Sequence, residues 1–389
     1  MIWTIKLLKQ GFPAVLFSLA VMLAIFQPFP LPAAAISART LQLFPFHQGS
    51  GTYVFGLDDC LPGAISKLGQ VYCKTNDNAA NWWRINDDPK KGFSPALTRA
   101  KMSSNYKAVT SFELNNHPYI FGLHTKVGAN IWRINDDPCT GFKLVMYRGK
   151  MSHSYKHVVS FQLRGEPYIL GLHTKVGANI WRIKEGPKGL TFDLIKDKAK
   201  MSPRYEHLAV FYMGGHPYIF GLHEGVGANI WRIKDDPSQG YDLIKYGARF
   251  PHSYNFVLPF HVGGRPYLLG VASQNDYKEW MEAVSPGLQE GGVWANLTDA
   301  ILQTAGTGAV EWGKGYGCIW EIVSESNGLS IRKVTKKCVP ISHRYAIVTM
   351  FEHAGKAYIF GVHEEHYANI WRINDDPSTG FTLDYYGRH

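Results

Sequence analysis

The stretch PYIFGLHTKVGANIWRINDDP, residues 118–138, decides the fold because close copies of it recur along the chain. The tryptophans of these copies are Trp83, Trp132, Trp181, Trp231, Trp320 and Trp371, so the successive steps are 49, 49, 50, 89 and 51 residues. A nearly constant period of about 50 residues is typical of stacked copies of one supersecondary unit. The sequence therefore predicts six structural repeats.

Within one repeat, four short apolar runs are separated by turn residues. In the second repeat these runs cover residues 108–114, 119–124, 130–135 and 142–146. The segments between them carry Asn, Gly, Asp and Pro, which favour tight turns between antiparallel strands. Four-stranded meanders arranged radially form a β-propeller. We therefore predict an all-β, six-bladed propeller over residues 37–389.

Every predicted second strand contains a glycine. These glycines are Gly56, Gly122, Gly171, Gly221, Gly270 and Gly361. A glycine inside a strand often marks a place where a bulky group approaches closely, and we expect the tryptophan of the adjacent blade to fill that space. The first repeat begins with its first strand and the last ends with its fourth, so the ring should close without exchanging a strand.

Two repeats depart from the others in the loop between their second and third strands. Blade 1 contains an insertion at about 59–75, and blade 5 contains a longer one at 273–315, for which we predict partly helical structure. Both blades lack the histidine that ends the second strand elsewhere, and blade 5 has Glu321 in place of the repeat's arginine. Because blades 1 and 5 flank blade 6, the insertions should crowd one side of this face and leave blades 2 to 4 open.

The first 35 residues have the composition of a signal peptide. Lys6 and Lys9 precede an apolar stretch at 12–26, and small residues follow at 33–35; this order is typical of secretory signals. A retained membrane anchor is the alternative. No later segment is long and apolar enough to span a bilayer, so after cleavage no stable membrane span is expected. The predicted location is secreted or periplasmic.

The chain is moderately basic. Its 41 basic and 31 acidic residues give a net charge of +10, and removal of Lys6 and Lys9 with residues 1–35 lowers this to +8 (10 − 2). A positive balance favours anionic surfaces or polymers through long-range attraction. Nucleic acid is not an expected partner, because the chain contains no recognisable nucleic-acid-binding module.

Five cysteines form an odd set in a compartment that permits disulfides. Cys60 and Cys73 bracket the insertion of blade 1, and Cys318 and Cys338 bracket a predicted antiparallel strand pair. Two local bridges are therefore expected. Cys139 remains alone in a hairpin turn, either as a spare thiol or as an intermolecular partner.

One face of the propeller should collect the loops between second and third strands together with the linkers between blades. Histidine and asparagine there can hydrogen-bond sugar hydroxyls, and tyrosine offers a stacking surface. The candidate ligand-binding residues are His124, His173, His223, Asn130, Asn179, Asn229, Tyr155, Tyr205 and Tyr254.

Two structural alternatives stand beside this hypothesis. The histidines could belong to a buried network with the linker serines and the repeat's tryptophan, since buried polar groups must be hydrogen-bonded. The adjacent Trp132 and Arg133 should point to opposite sheet faces. They could line a sugar-binding cleft, or they could make a cation–π contact between blades.

The opposite face carries the turn Asn-Asp-Asp-Pro-x-x-Gly, as at 135–141 and 374–380. Aspartate before proline and glycine favours a turn, because the carboxylate accepts hydrogen bonds from nearby backbone amides. One aspartate pair falls short of the six or more oxygen ligands that calcium prefers. The sequence contains no Gly-x-Ser-x-Gly elbow and no repeated Asp/His cluster, so we predict neither a metal nor a cofactor.

The repeats from about residue 37 onward resemble, at the level of architecture, those of secreted six-bladed propeller lectins. Together with the repeated loops, this resemblance favours a secreted, multivalent carbohydrate-binding protein. Its near-equivalent sites are expected at blades 2, 3 and 4, which the insertions leave open, and their individual affinities combine by avidity. The expected partners are glycans or other polyhydroxy or anionic surface ligands. One alternative is a secreted enzyme with a single pocket lidded by the blade 5 insertion. Another is a protein-interaction scaffold. A non-enzymatic binding protein is the favoured hypothesis.

Overall fold

The computed structural model describes residues 40–58, 79–187, 189–273, 315–326, 328–342, 345–363 and 368–387. Strands within these ranges form six antiparallel sheets of four or five strands. The protein is an all-β, six-bladed β-propeller, as predicted. The signal peptide, both loop insertions with the helices predicted for blade 5, and the Cys60–Cys73 bridge lie outside the described residues.

The first three blades follow the chain without interruption. Blade 1 contains β1 (Thr40–Gln48), β2 (Gly51–Asp58), β3 (Ala80–Ile85) and β4 (Phe93–Ala100). Blade 2 contains β5 (Tyr106–Leu114), β6 (His117–His124), β7 (Gly128–Ile134) and β8 (Phe142–Gly149). Blade 3 contains β9 (Tyr155–Leu163), β10 (Glu166–His173), β11 (Gly177–Gly186) and β12 (Gly189–Ala199).

The remaining blades repeat this order, with one additional strand. Blade 4 contains β13 (Tyr205–Met213), β14 (His216–His223), β15 (Gly227–Ile233) and β16 (Tyr241–Ala248). Blade 5 contains β17 (Tyr254–Val262), β18 (Arg265–Ser273), β19 (Gly315–Glu325), β20 (Gly328–Lys333) and β21 (Val339–Ile341). Blade 6 contains β22 (Tyr345–His353), β23 (Lys356–His363), β24 (Ala368–Ile373) and β25 (Phe381–Tyr386).

Each sheet is built from consecutive strands of a single repeat. Blade 6 meets blade 1 through side chains, since Thr52 Oγ1 lies 3.2 Å from Nδ1 of His353 and the rings of Phe93 and Phe360 pack edge to face at 5.3 Å. The predicted ring closure without strand exchange is therefore confirmed. Blade 5 has a fifth strand, because β20 and β21 both pair with β19.

The predicted local bridge in blade 5 is present as a disulfide. Cys318 in β19 is bonded to Cys338, which immediately precedes β21, with 4.6 Å between the two Cα atoms. The bridge fixes the short added strand to the sheet of its blade. Cys139 is a free and exposed thiol in a one-turn 3₁₀ helix, Pro138–Thr140.

The hydrophobic core lies between the blades. Trp132 of blade 2 packs in one cluster with Phe55 of blade 1, and Trp181 of blade 3 packs with Phe121 of blade 2. These two tryptophans therefore face the preceding blade. Burying a side chain of this size removes about 200 Å² from water, worth roughly 5 kcal/mol at about 25 cal/mol per Å².

The mid-strand glycines make room for aromatic rings of their own blade. A Cβ atom at Gly122 would lie 2.7 Å from the Tyr106 ring and 3.1 Å from the Trp132 ring, and both residues belong to blade 2. Gly171 and Gly221 have the same surroundings. Our prediction that the adjacent blade fills this space was therefore wrong, because side chains from the first and third strands of the same blade cover the face of the sheet on which the glycine lies.

The Asn-Asp-Asp-Pro segments form tight turns, as predicted. In blade 2, Oδ1 of Asp137 accepts the backbone N–H of Cys139 at 2.9 Å and so caps the one-turn 3₁₀ helix that follows. The preceding carboxylate of Asp136 accepts a hydrogen bond from Arg133 at 2.8 Å. Blades 1, 4 and 6 form the same turns at Pro89–Lys91, Pro237–Gln239 and Pro377–Thr379.

No helix within the described ranges is long and apolar enough to cross a membrane.

Candidate functional site

The upper face is the edge of the ring that carries the loops between second and third strands and the linkers between blades. In blades 2, 3 and 4 each loop is bonded to the linker that enters its own blade. The N–H groups of Thr125, Thr174 and Glu224 donate to the carbonyls of Asn105, Ser154 and Arg204 at 3.0 to 3.1 Å. The three loops are therefore held in the same way.

The three candidate asparagines are buried behind these loops. The side-chain amide of Asn179 donates to the hydroxyl of Tyr155 at 2.7 Å, and its oxygen accepts the N–H of Lys198, also at 2.7 Å. Asn130 bonds Tyr106 and the N–H of Arg148, while Asn229 bonds Tyr205 and the N–H of Gly247. Each asparagine thus ties the first, third and fourth strands of its blade together.

The candidate tyrosines are also buried, since Tyr155, Tyr205 and Tyr254 are only 2 to 4% exposed. Burial raises the pKa of Tyr155 to about 12, so its hydroxyl stays protonated at neutral pH. The hydroxyl of Tyr254 accepts a hydrogen bond from Nε1 of Trp320 at 3.0 Å. Direct contact of these amides and phenols with a sugar would require the ligand to replace existing bonds, and their ligand-binding role stays a prediction.

The candidate histidines of blades 2 and 3 are partly accessible to solvent. Nδ1 of His124 accepts the N–H of Lys126 at 3.0 Å, and Nδ1 of His173 accepts the N–H of Lys175 at 3.1 Å. Because a backbone N–H can only donate, the neutral imidazole must carry its proton on Nε2. Across the described ranges, neither Nε2 atom has a hydrogen-bond partner. Partial burial lowers the pKa of His124, so this ring offers a neutral donor.

His223 in blade 4 is held differently. Its Nδ1 accepts the N–H of Gly225 at 3.1 Å, but its Nε2 lies 3.0 Å from Oγ of Ser202 in the preceding linker. The side chain is 9% exposed. The buried histidine–serine network that the sequence allowed is therefore found in blade 4, while the equivalent histidines of blades 2 and 3 keep an accessible edge.

The neighbouring tryptophan and arginine do not share a cleft. Trp132 is 6% exposed and packs edge to face on Tyr106. Arg133 extends toward the opposite face, where Nη2 lies 3.1 Å from His117 and 2.8 Å from Asp136. Within the described residues, the contact between a cation and an aromatic ring is formed instead by Arg148, whose Cζ lies 4.8 Å from the centre of the Tyr147 ring.

The sequence analysis missed a set of cations at the ends of the fourth strands. Arg99, Arg148 and Lys198 are exposed on the upper face and have φ angles of 55°, 59° and 49°. Their backbone N–H groups are the ones that Asn81, Asn130 and Asn179 accept, at 2.7 to 2.9 Å. A basic residue at the same position of consecutive repeats was the signal that could have identified them.

No protein-family model matches the chain, and no similar sequence was found among curated proteins. Solved propeller structures do resemble it. A mutant of AofleA from Arthrobotrys oligospora is 8% identical over 91% of this chain and 90% of its own, with a TM-score of 0.51. A mutant of Aleuria aurantia lectin in complex with α-methyl-L-fucoside is 6% identical over 90% and 96% of the two chains, with a TM-score of 0.50.

A Clostridium thermocellum α-L-arabinofuranosidase is 14% identical over 78% of this chain and 95% of its own, with a TM-score of 0.43. At these identities the likeness concerns the fold alone.

Proposed function

We propose that the protein is an extracellular, multivalent glycan-binding protein whose sites lie on the upper face of blades 2, 3 and 4. The observation that carries the proposal is the repeated imidazole geometry. Backbone N–H donors fix His124, His173 and His223 in one tautomer. The rings of blades 2 and 3 therefore direct an Nε2–H donor away from their loops, while the Nε2 of blade 4 faces Ser202. Rigid donors on a β-scaffold suit sugar hydroxyls, which act as both donors and acceptors.

In this proposal the histidines contact the ligand and the buried asparagines and tyrosines position them. The edge of Tyr155 packs against the His173 ring at 5.2 Å, and Asn179 in turn bonds the Tyr155 hydroxyl. The same arrangement in blades 2 and 4 would give several near-equivalent sites. Modest affinities at such sites combine when one polymer occupies more than one of them.

We also propose that residues 1–35 direct export. The Cys318–Cys338 disulfide is compatible with an oxidising compartment.

A glycan array on the mature protein, followed by calorimetric titration with the best ligand, tests the proposal. We expect several equivalent sites per chain, and we expect H124A/H173A to lower the stoichiometry by two while the site of blade 4 remains. The matched control is H117A/H216A, which removes two partly exposed imidazoles from the opposite face and should leave both stoichiometry and affinity unchanged.

Absence of glycan binding would overturn the proposal. A single site that neither double variant affects would also overturn it, because that result points to one pocket outside the repeated loops, as expected of the enzyme alternative.

A further inference from the structure

Three cations occupy one repeated position on the upper face, at the junctions that follow blades 1, 2 and 3. Each has a left-handed backbone conformation, with φ of 55° at Arg99, 59° at Arg148 and 49° at Lys198. Their N–H groups donate to the buried asparagines of the same blades. The backbone conformation and this hydrogen bond therefore fix the position of the Cα atom from which each charged side chain extends.

Blade 4 shows that this position does not require a side chain. Gly247 has φ of 63° and donates its N–H to Asn229 at 2.7 Å, so it makes the same turn. Glycine adopts this conformation without steric cost, whereas a residue with a Cβ atom is disfavoured there. Residues held in sparsely populated backbone regions are often found at binding sites.

The charge around Arg99 and Arg148 has one sign. The segment 99–107 contains Arg99, Lys101 and Lys107 and no acidic residue, and the segment 148–156 contains Arg148, Lys150 and Lys156 and no acidic residue. All six side chains are exposed. Acidic residues do lie near Lys198, whose Nζ is 3.7 Å from Asp197. In blade 4, Glu206 lies 3.3 Å from His252 and Glu224 pairs with Arg204. The aspartate pairs of the repeat lie at the opposite face, in the capped turns.

We propose that this basic rim, consisting of Arg99, Arg148 and Lys198 with the lysines two positions later, selects acidic polysaccharides. The inference rests on the proposed function, which it narrows to glycans that bear carboxylate or sulfate groups. Arg148 is suited to bind either group through two parallel hydrogen bonds. Tyr147, 55% exposed beneath the Arg148 guanidinium, provides an aromatic face for the sugar ring beside the acid. A linear acidic polymer carries charged groups at regular intervals, so one chain can contact the cations of more than one blade.

The test compares three polysaccharides in physiological salt: heparin as the sulfated probe, polygalacturonate as the carboxylate probe, and dextran as the neutral one. We expect binding to at least one acidic polymer, weaker binding as salt rises because exposed charges are screened, and no comparable binding to dextran. Preference for heparin or for polygalacturonate identifies which acid the rim selects.

The decisive variant is R99G/R148G/K198G, which gives three positions the residue found in blade 4. We expect its melting temperature to equal or exceed that of the wild type, since the backbone conformation becomes easier to adopt, and its affinity for the acidic polymer to fall about tenfold or more. The matched control is K90A/K91A/K143A, which removes three exposed charges from the opposite side of the ring and should bind like the wild type.

Equal losses of affinity for the acidic polymer in the two triple variants would overturn the inference, because they would show that binding depends only on the net charge of the protein. Equal binding to anionic phospholipid vesicles or to DNA would also overturn it. Another outcome is that the glycan array yields only neutral ligands, which the wild type and R99G/R148G/K198G bind with equal affinity. In that case the proposed selectivity for acidic glycans is wrong, while the proposed glycan-binding function stands. If no glycan binds at all, both fail.

Discussion

Oδ1 of Asn130 accepts the backbone N–H of Arg148 at 2.9 Å, and this bond joins the buried interior of a blade to a charged residue on its surface. The same asparagine donates to the Tyr106 hydroxyl. One buried amide therefore satisfies two groups that would otherwise lack partners in a part of the blade with little access to water. Buried polar groups left unpaired are costly, which makes this residue a sensitive position for testing the structure.

Replacing Asn130 with alanine should destabilise the protein by about 2 kcal/mol or more, because the Tyr106 hydroxyl and the Arg148 N–H both lose their partner. Urea unfolding of the wild type and the variant measures the difference. The matched control is Asn135→Ala, which removes an amide from the exposed hairpin turn of the same blade and should cost less than half as much. Equal losses in the two variants would contradict the structural role of the buried amide.

Replacing Gly122 with alanine tests the packing of the second strand. The added Cβ atom would lie 2.7 Å from the Tyr106 ring and 3.1 Å from the Trp132 ring, so the aromatic pair must move. Overpacking of this kind costs typically about 1 to 3 kcal/mol. In the control, Gly225→Ala, the new atom would meet His223 at 3.8 Å, an ordinary contact, and thermal unfolding should show little change.

Acid should destabilise the protein through two partly buried histidines, one where blade 3 meets blade 4 and one where blade 4 meets blade 5. Nε2 of His157 donates to the carbonyl of Tyr205 at 2.7 Å, and His207 donates to Tyr254 at 2.8 Å. Burial lowers the pKa of both histidines from the usual 6.5, and the nearby Lys156 adds to the effect. Below pH 6.5 these histidines take up protons more readily in the unfolded chain than in the folded protein. The stability that the two neutral histidines contribute is therefore complete above pH 6.5 and is lost as pH falls toward their lowered pKa values.

The measurement is the free energy of unfolding as a function of pH from 7.5 to 4.5. The double variant H157Q/H207Q keeps a side-chain donor at each position but cannot take up a proton. Its stability should therefore depend less steeply on pH between about 6.5 and 5 than that of the wild type. Identical slopes would show that other groups control the acid response.

The sequence predicted the architecture well because the signals for it are local and repeated. Trp132, Gly122 and the turn at Asp137 recur in register, and each reports on a few neighbouring residues: a core position, a close approach or a capped turn. Six copies of such a pattern leave few arrangements other than a propeller. The blade that supplies the neighbouring ring could not be derived in the same way, because it depends on how the sheet twists and packs.

The candidate site was harder to predict, because its residues are joined across strands. Asn130 and Tyr106, Asn179 and Tyr155, Asn229 and Tyr205, and Asn369 and Tyr345 are hydrogen-bonded pairs that are each separated by 24 residues. That constant separation was visible in the sequence, but only the register of the strands shows that the side chains meet. The left-handed conformation of Arg148 is likewise set by its hydrogen bond to Asn130 and not by any local preference of arginine.

The basic rim has its last cation in blade 3, because blade 4 has Gly247 at the same position. Gly247→Arg should extend the rim by one blade. Arginine there would adopt a left-handed conformation already used by Arg148 in blade 2, at a cost of about 1 kcal/mol in stability, since a Cβ atom would also lie 3.2 Å from the Val226 carbonyl. If the rim binds acidic polysaccharides, the fourth cation should strengthen binding several-fold and make it more sensitive to salt. Gly247→Ala is the matched control: it carries the same backbone cost without the charge, and it should lower the melting temperature while leaving affinity unchanged. Equal affinity of the arginine and alanine variants would mean that this position does not contact the polymer.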